Sequence, residues 1–138
     1  MTTLLIVHSI TRWLVALTAA ALIIRLAVGM VKKLPFDKSA RALNAAFSGL
    51  MDTQALFGVL LFVLGGFSGI GFPTYRWEHA IIMLIAVAAA HISVMWKKSD
   101  DRIRTRNTLA AVLVSLLLVV LGVGPLGWAR WLHITGLF

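Results

Sequence analysis

The chain has 138 residues, of which 60% are hydrophobic and 13% charged, with a formal net charge of +8 and no cysteine. About a quarter of the residues of an average soluble domain are charged, so this composition excludes that class and favours an integral membrane protein. The absence of cysteine excludes disulfides and cysteine-ligated iron–sulfur clusters.

Four apolar runs are long enough to cross the hydrocarbon core of a bilayer, which takes about 20 helical residues. They predict helices over about 4–31, 38–67, 76–97 and 106–128, within a single domain covering residues 1–138. Because helices satisfy their backbone hydrogen bonds internally, we predict the all-α class and an integral membrane four-helix bundle. The first run lacks a cationic leader and a suitable cleavage site, so we interpret it as a retained helix.

The cations are concentrated in two of the three predicted loops, whereas the second loop has only Arg76. The first loop contains Lys32, Lys33, Lys38 and Arg41, and the third contains Lys97, Lys98, Arg102, Arg104 and Arg106. By the positive-inside rule these two loops are cytoplasmic and both termini lie on the outer side. A solvated cytoplasmic rim explains the positive charge, so no nucleic-acid partner is predicted.

Histidines from two predicted helices lie near the outer face. His8 and Arg12 are four residues apart and share a helix face, and His79 opens the third helix. Two imidazoles at similar depth in different helices can hold a haem iron between them. Arg12, Arg76 and Arg130 lie on the same side and could meet the haem propionates through charge-assisted hydrogen bonds.

Two other interpretations of these outer residues stay open. Histidine and arginine near a helix end are often ordinary interfacial residues, which would suit a haem-free accessory or structural subunit of a membrane complex. Alternatively, His133 or Glu78 could complete an outer-face copper or zinc site. A colourless purified protein would favour the first, and bound metal without a Soret band the second.

A second polar layer is predicted in the inner half of the bundle. His91 lies about 18 Å along the third helix from His79, so the two cannot bind one metal atom. His91 could bind a second haem or be a histidine hydrogen-bonded to a neighbouring helix. No second inner histidine is present to complete a bis-histidine site.

The second helix carries two polar residues near mid-bilayer, Asp52 and Gln54, which face nearly opposite ways and should meet different neighbours. Asp52 could pair with Arg25 or relay protons to a quinone. Arg25 itself could equally be an interfacial cation that reaches the cytoplasmic surface. In the first loop, Asp37 is the expected N-cap of the second helix.

Several short motifs resemble those of small bacterial four-helix membrane proteins of the b-type cytochrome kind, over nearly the whole chain. They are His8-Ser9-x-x-Arg12-Trp13, Asp52-x-Gln54-x-x-x-Gly58, Glu78-His79-x-x-x-Met83 and Ala90-His91. The resemblance implies haem b, electron transfer, and His8, His79 and His91 as matching ligand positions. In that family a histidine often stands where this chain has Asp52, which leaves a second haem open.

The sequence as a whole therefore predicts a multi-pass protein of the bacterial cytoplasmic (inner) membrane, with one haem b near the outer face. We expect it to pass electrons between a quinone pool or membrane partner and an outer acceptor. It would act alone, as a homo-oligomer or as a small subunit of a respiratory or photosynthetic complex. The expected cofactor-binding residues are His8, His79, His91, Arg12, Arg76, Arg130, Gln54 and Asp52, with the three histidines as metal ligands.

Overall fold

The structure is a computed structural model that describes residues 1–129. In this range the chain forms four α-helices: α1 (Thr2–Lys32), α2 (Lys38–Gly65), α3 (Thr74–His91) and α4 (Asp101–Val123). A π-helical turn, Gly66–Ile70, extends α2; a 3₁₀ segment, Ile92–Trp96, extends α3; and a 3₁₀ turn, Gly124–Leu126, follows α4.

All four helices are long and apolar enough to cross a membrane, so the prediction of an all-α protein with four membrane-length helices is confirmed. The helix bounds differ by more than two residues in three places, one of which is the end of the fourth helix, at Val123 rather than at residue 128. The third α-helix was expected to run to residue 97, but it ends at His91 and continues as the tighter 3₁₀ segment. The fourth begins at Asp101 rather than near 106, because its first turns are polar and precede the apolar run.

The helices are arranged around a bundle in chain order. α1 packs against α2 and α4, and α3 packs against α2 and α4. The shared core contains large side chains at Leu22, Leu26, Phe47 and Val112, all fully buried. Small residues bring α3 and α4 together: the buried hydroxyl of Ser115 donates a hydrogen bond of 2.8 Å to the carbonyl of Ala86.

A polar cluster fixes the start of α2 against α1. The carboxylate of Asp37 accepts a hydrogen bond from the backbone N–H of Ala40, which confirms Asp37 as the N-cap. It also accepts from the Ser39 hydroxyl and forms an ion pair of 2.9 Å with Arg25. Arg25 is therefore not the partner of Asp52. Its guanidinium reaches the first loop, as the interfacial interpretation predicted, and there it also donates to the Pro35 carbonyl.

The topology can be tested with single cysteines, because the chain contains none of its own. We expect Ile70→Cys, in the second loop, to react with a membrane-impermeant maleimide added to intact cells. Lys98→Cys, in the third loop, should react only after the membrane is permeabilised, because the positive-inside rule predicts that this loop is cytoplasmic. Labelling of Lys98→Cys from outside would reverse the predicted orientation.

The Asp37 cluster predicts a pH-dependent part of the stability. Hydrogen bonds from Ala40 and Ser39, together with Arg25, lower the pKa of Asp37 from 3.8 to about 2. This group therefore stabilises the fold fully above its unfolded pKa, and the contribution is lost as the pH falls from about 4 to about 2.

Thermal unfolding in detergent across that pH range should show a smaller loss of melting temperature on acidification for Asp37→Asn than for the unmodified chain. Asp100→Asn is the matched control, because Asp100 holds the same position before α4 but makes no side-chain cap hydrogen bond. An equal response of the unmodified chain and Asp37→Asn would contradict this account.

Candidate functional site

His8 and His79 lie near one end of the bundle, and we call them the outer histidine pair after the side on which the sequence predicts them. His8 is on α1, about 9 Å along the axis from Thr2, and His79 is on α3, about 8 Å from Thr74. α1 and α3 begin at the same end, so the two residues lie at a similar level. Both side chains are partly buried.

His8 is positioned by α2. Its Nε2 lies 3.1 Å from the amide nitrogen of Gln54, while its Nδ1 is buried and has no hydrogen-bond partner among the described residues. The ring lies against Gly58, where a Cβ atom would come within 3.3 Å of the His8 Cε1. Gln54 thus fixes one ring nitrogen, and Gly58 provides the space that the ring occupies.

His79 is positioned by α4. Its Nδ1 lies 2.7 Å from the backbone carbonyl oxygen of Gly122. Since a carbonyl only accepts, Nδ1 carries the proton of the neutral ring, and Nε2 keeps its lone pair. Metal-binding histidines commonly donate their second N–H to a carbonyl in this way, which fixes both tautomer and ring orientation.

Close packing of α3 against α4 makes the His79 contact available. A Cβ at Gly122 would lie 2.8 Å from Cε of Met83 and 3.1 Å from Cγ2 of Ile82. A side chain at this position would have to displace the end of Met83 and shift Ile82 by a few tenths of an ångström, so glycine suits this approach, and its carbonyl reaches the imidazole. Sequence reasoning missed Gly122 because the group that acts is a backbone oxygen, for which the sequence carries no distinguishing signal.

The three arginines expected at this site differ in their surroundings. Arg12 lies one helical turn after His8, with its guanidinium 5.7 Å from the ring centre of Trp13. Arg76 donates hydrogen bonds to three backbone carbonyls, two near the end of α2 and one in the second loop. These are Gly71 at 2.6 Å, Leu61 at 2.8 Å and Phe62 at 3.1 Å. Arg130 lies outside the described residues.

Metal sites with three or more histidine or acidic ligands are absent from residues 1–129. Glu78 is exposed near the start of α3, next to His79 in sequence. His133, which was considered as an additional copper or zinc ligand, lies outside the described residues. A two-histidine haem site needs no third protein ligand, so this observation bears on copper and zinc rather than on haem.

The inner polar residues form a separate contact between α2 and α3, the inner ion pair. His91 Nε2 lies 2.8 Å from Asp52 Oδ1, which corrects the expected pairing of Asp52 with Arg25. Asp52 faces α3 whereas Gln54 faces α1, as their two-residue spacing predicted. The side chains of Asp52 and His91 remain 53% and 45% exposed, so this pair lies on the surface of the bundle.

A cavity of about 290 Å³ lies at the opposite end of the bundle from the outer histidines. It is lined by residues of the first loop and the start of α4, including Lys33, Pro35, Arg102 and Thr105. The cavity therefore does not belong to the histidine site.

Comparison of the chain with family models, with curated proteins and with solved structures finds no match.

The Arg76 contacts predict a structural contribution. Arg76→Ala removes the charged donor that three partly buried carbonyls share, although Phe62 keeps a backbone hydrogen bond from Gly66, and we expect the free energy of unfolding to fall by on the order of 2 kcal/mol. Arg102→Ala is the control, since Arg102 is exposed at the start of α4. Unfolding by SDS, followed by circular dichroism, measures both. An unchanged midpoint for Arg76→Ala would show that water replaces the guanidinium without loss.

Proposed function

We propose that this protein is a multi-pass membrane protein resembling b-type cytochromes, with one haem b held by His8 and His79. The helices supply an apolar environment of the right length, and the outer histidine pair supplies two ligands from different helices. The observation that carries the proposal is the Gly122 contact, which orients His79 and leaves its Nε2 lone pair for a metal.

The surroundings of His8 also fit this cofactor. Its buried Nδ1 is without a hydrogen-bond partner among residues 1–129, an arrangement that costs free energy in an apolar setting. An iron ligated by this nitrogen would remove that cost once Nε2 carries the ring proton and donates it to Gln54 Oε1, which a turn of the amide allows. Gln54 would hold the other ring nitrogen, so the role of Gln54 is to position a ligand rather than to touch iron.

Haem b, when bound, supplies one-electron transfer, which side chains of this composition cannot perform. The protein would hold the iron, fix the imidazole tautomers and keep water away from the ring. Arg12, on the same face of α1 as His8, is the arginine that we propose to meet a propionate. Arg76 could bind a propionate only by giving up a hydrogen bond to a backbone carbonyl. For Arg130, which lies outside the described residues, contact with a propionate stays a prediction.

We further propose that electrons pass between a quinone pool or membrane partner and an acceptor on the outer side of the bacterial cytoplasmic membrane. The position of the outer histidine pair supports the outer acceptor, because it lies within about 10 Å of the helix ends on that side. His91 and Asp52 bind each other across α2 and α3, so a second haem at His91 would require breaking that ion pair.

The test is a reduced-minus-oxidised spectrum of the detergent-purified chain, with a pyridine haemochrome assay for stoichiometry. We expect one haem b per chain, and loss of the six-coordinate spectrum in His8→Ala and in His79→Ala. His91→Ala is the matched control, because it removes a histidine from the inner ion pair and should leave the spectrum unchanged. Gln54→Leu should weaken haem binding about ten- to a hundredfold, as loss of a positioning partner does.

A colourless protein would overturn the proposal and favour a haem-free accessory subunit, in which the histidine contacts only hold helices together. Copper or zinc retained without a Soret band would favour the metal-binding alternative. Loss of haem in His91→Ala, with haem kept in His79→Ala, would place the cofactor in the inner layer instead.

A further inference from the structure

The inner ion pair is the feature of the structure that the proposed electron-transfer site does not use. Asp52 lies about 14 Å along α2 from Leu43, where the apolar run begins, and His91 about 10 Å from Trp96. Both are therefore at hydrocarbon depth, yet about half of each side chain is exposed. Ionisable groups at this depth normally face a bundle interior or a water-filled cavity, because lipid tails cannot solvate them.

Around Asp52, between residues 41 and 60, α2 buries only Phe47 and Met51. Small or short side chains lie beside the acid: Ala45, Gly49 and Thr53 are spaced four residues apart and exposed. A Cβ at Gly49 would meet nothing within 4 Å, so this surface is open to a close neighbour.

From these observations we propose that the α2–α3 face carrying Asp52 and His91 is the contact surface of a parallel homodimer. This inference rests on the membrane placement proposed above and not on haem, so a haem-free protein would leave it intact.

Symmetry makes a second copy the partner that fits. Asp52 and His91 are bonded to each other and so lie side by side at one depth. Two copies in the same orientation are related by a two-fold axis along the membrane normal, which exchanges left and right on the facing surfaces. The carboxylate of one copy then lies opposite the imidazole of the other. The surface thus pairs an acid of each copy with an imidazole of the other, without any requirement for a different protein.

The hydrogen-bonding capacity of the two groups agrees with this arrangement. Nε2 of His91 donates to its own Asp52, which leaves Nδ1 of the neutral ring as an acceptor. Asp52 has a second oxygen beyond the one that binds His91. In the dimer, two carboxyl groups and two imidazoles would form one closed network in which each His91–Asp52 pair holds two protons, one on Nε2 and one between Nδ1 and the second oxygen of the other copy's Asp52, and each group would lose its exposure to lipid. Close approach at Gly49 would bring the helices near enough for these bonds.

The experiment uses full-length protein in lipid vesicles. Because the chain contains no cysteine, an introduced cysteine is the only thiol that can form a disulfide. Gly49→Cys should form an intermolecular disulfide under mild oxidation. Val114→Cys is the control on α4, at about the same distance from the start of its helix and 51% exposed, and should remain uncrosslinked. Equal crosslinking at the two positions would indicate random collision and would overturn the proposal.

Single-molecule photobleaching of labelled chains measures the association itself. We expect two bleaching steps for the unmodified chain, and about tenfold weaker association for Gly49→Leu and for Asp52→Asn. Val114→Leu should associate normally. Because Gly49 faces open space, Gly49→Leu should keep the protomer's thermal unfolding midpoint, which separates loss of contact from loss of fold. A single step for the unmodified chain, or unaltered association in Gly49→Leu, would overturn the proposal.

Discussion

Polar groups on largely apolar helices must find partners on other helices, and this constraint determines how the bundle is held together. Few such groups are available, because only 13% of the residues are charged. Gln54 and His8 join α2 to α1, and the His79–Gly122 and Ser115–Ala86 contacts join α3 to α4. In lipid, where burial of apolar surface gives little preference among helix neighbours, such hydrogen bonds and close packing specify the arrangement.

The sequence alone was sufficient for the parts of the fold that depend on composition and local spacing. Hydrophobic length predicted four helices, and the position of Asp37 after Pro35-Phe36 predicted its cap of α2. The two-residue spacing of Asp52 and Gln54 predicted that they would meet different neighbours. These are local properties, so one stretch of chain contains all the information that they require.

Partnerships between helices were predicted less well, because they depend on how the helices rotate and approach. Asp52 was considered as a partner of Arg25, but Arg25 bends back to the first loop and binds Asp37, only twelve residues further along. Asp52 binds His91 instead. The Gly122 carbonyl could not be identified from sequence at all, since every residue has a carbonyl and only packing exposes this one.

The two histidine contacts of α3 differ in a way that separates their roles. His79 is oriented by a backbone carbonyl within one protomer and is partly buried, so it keeps a neutral ring with a free lone pair. His91 instead meets a carboxylate on the surface of the bundle, with its Nε2 2.8 Å from Asp52 Oδ1. We therefore propose different roles for one residue type, twelve positions apart on the same helix: His79 to hold a cofactor and His91 to contact a neighbouring chain.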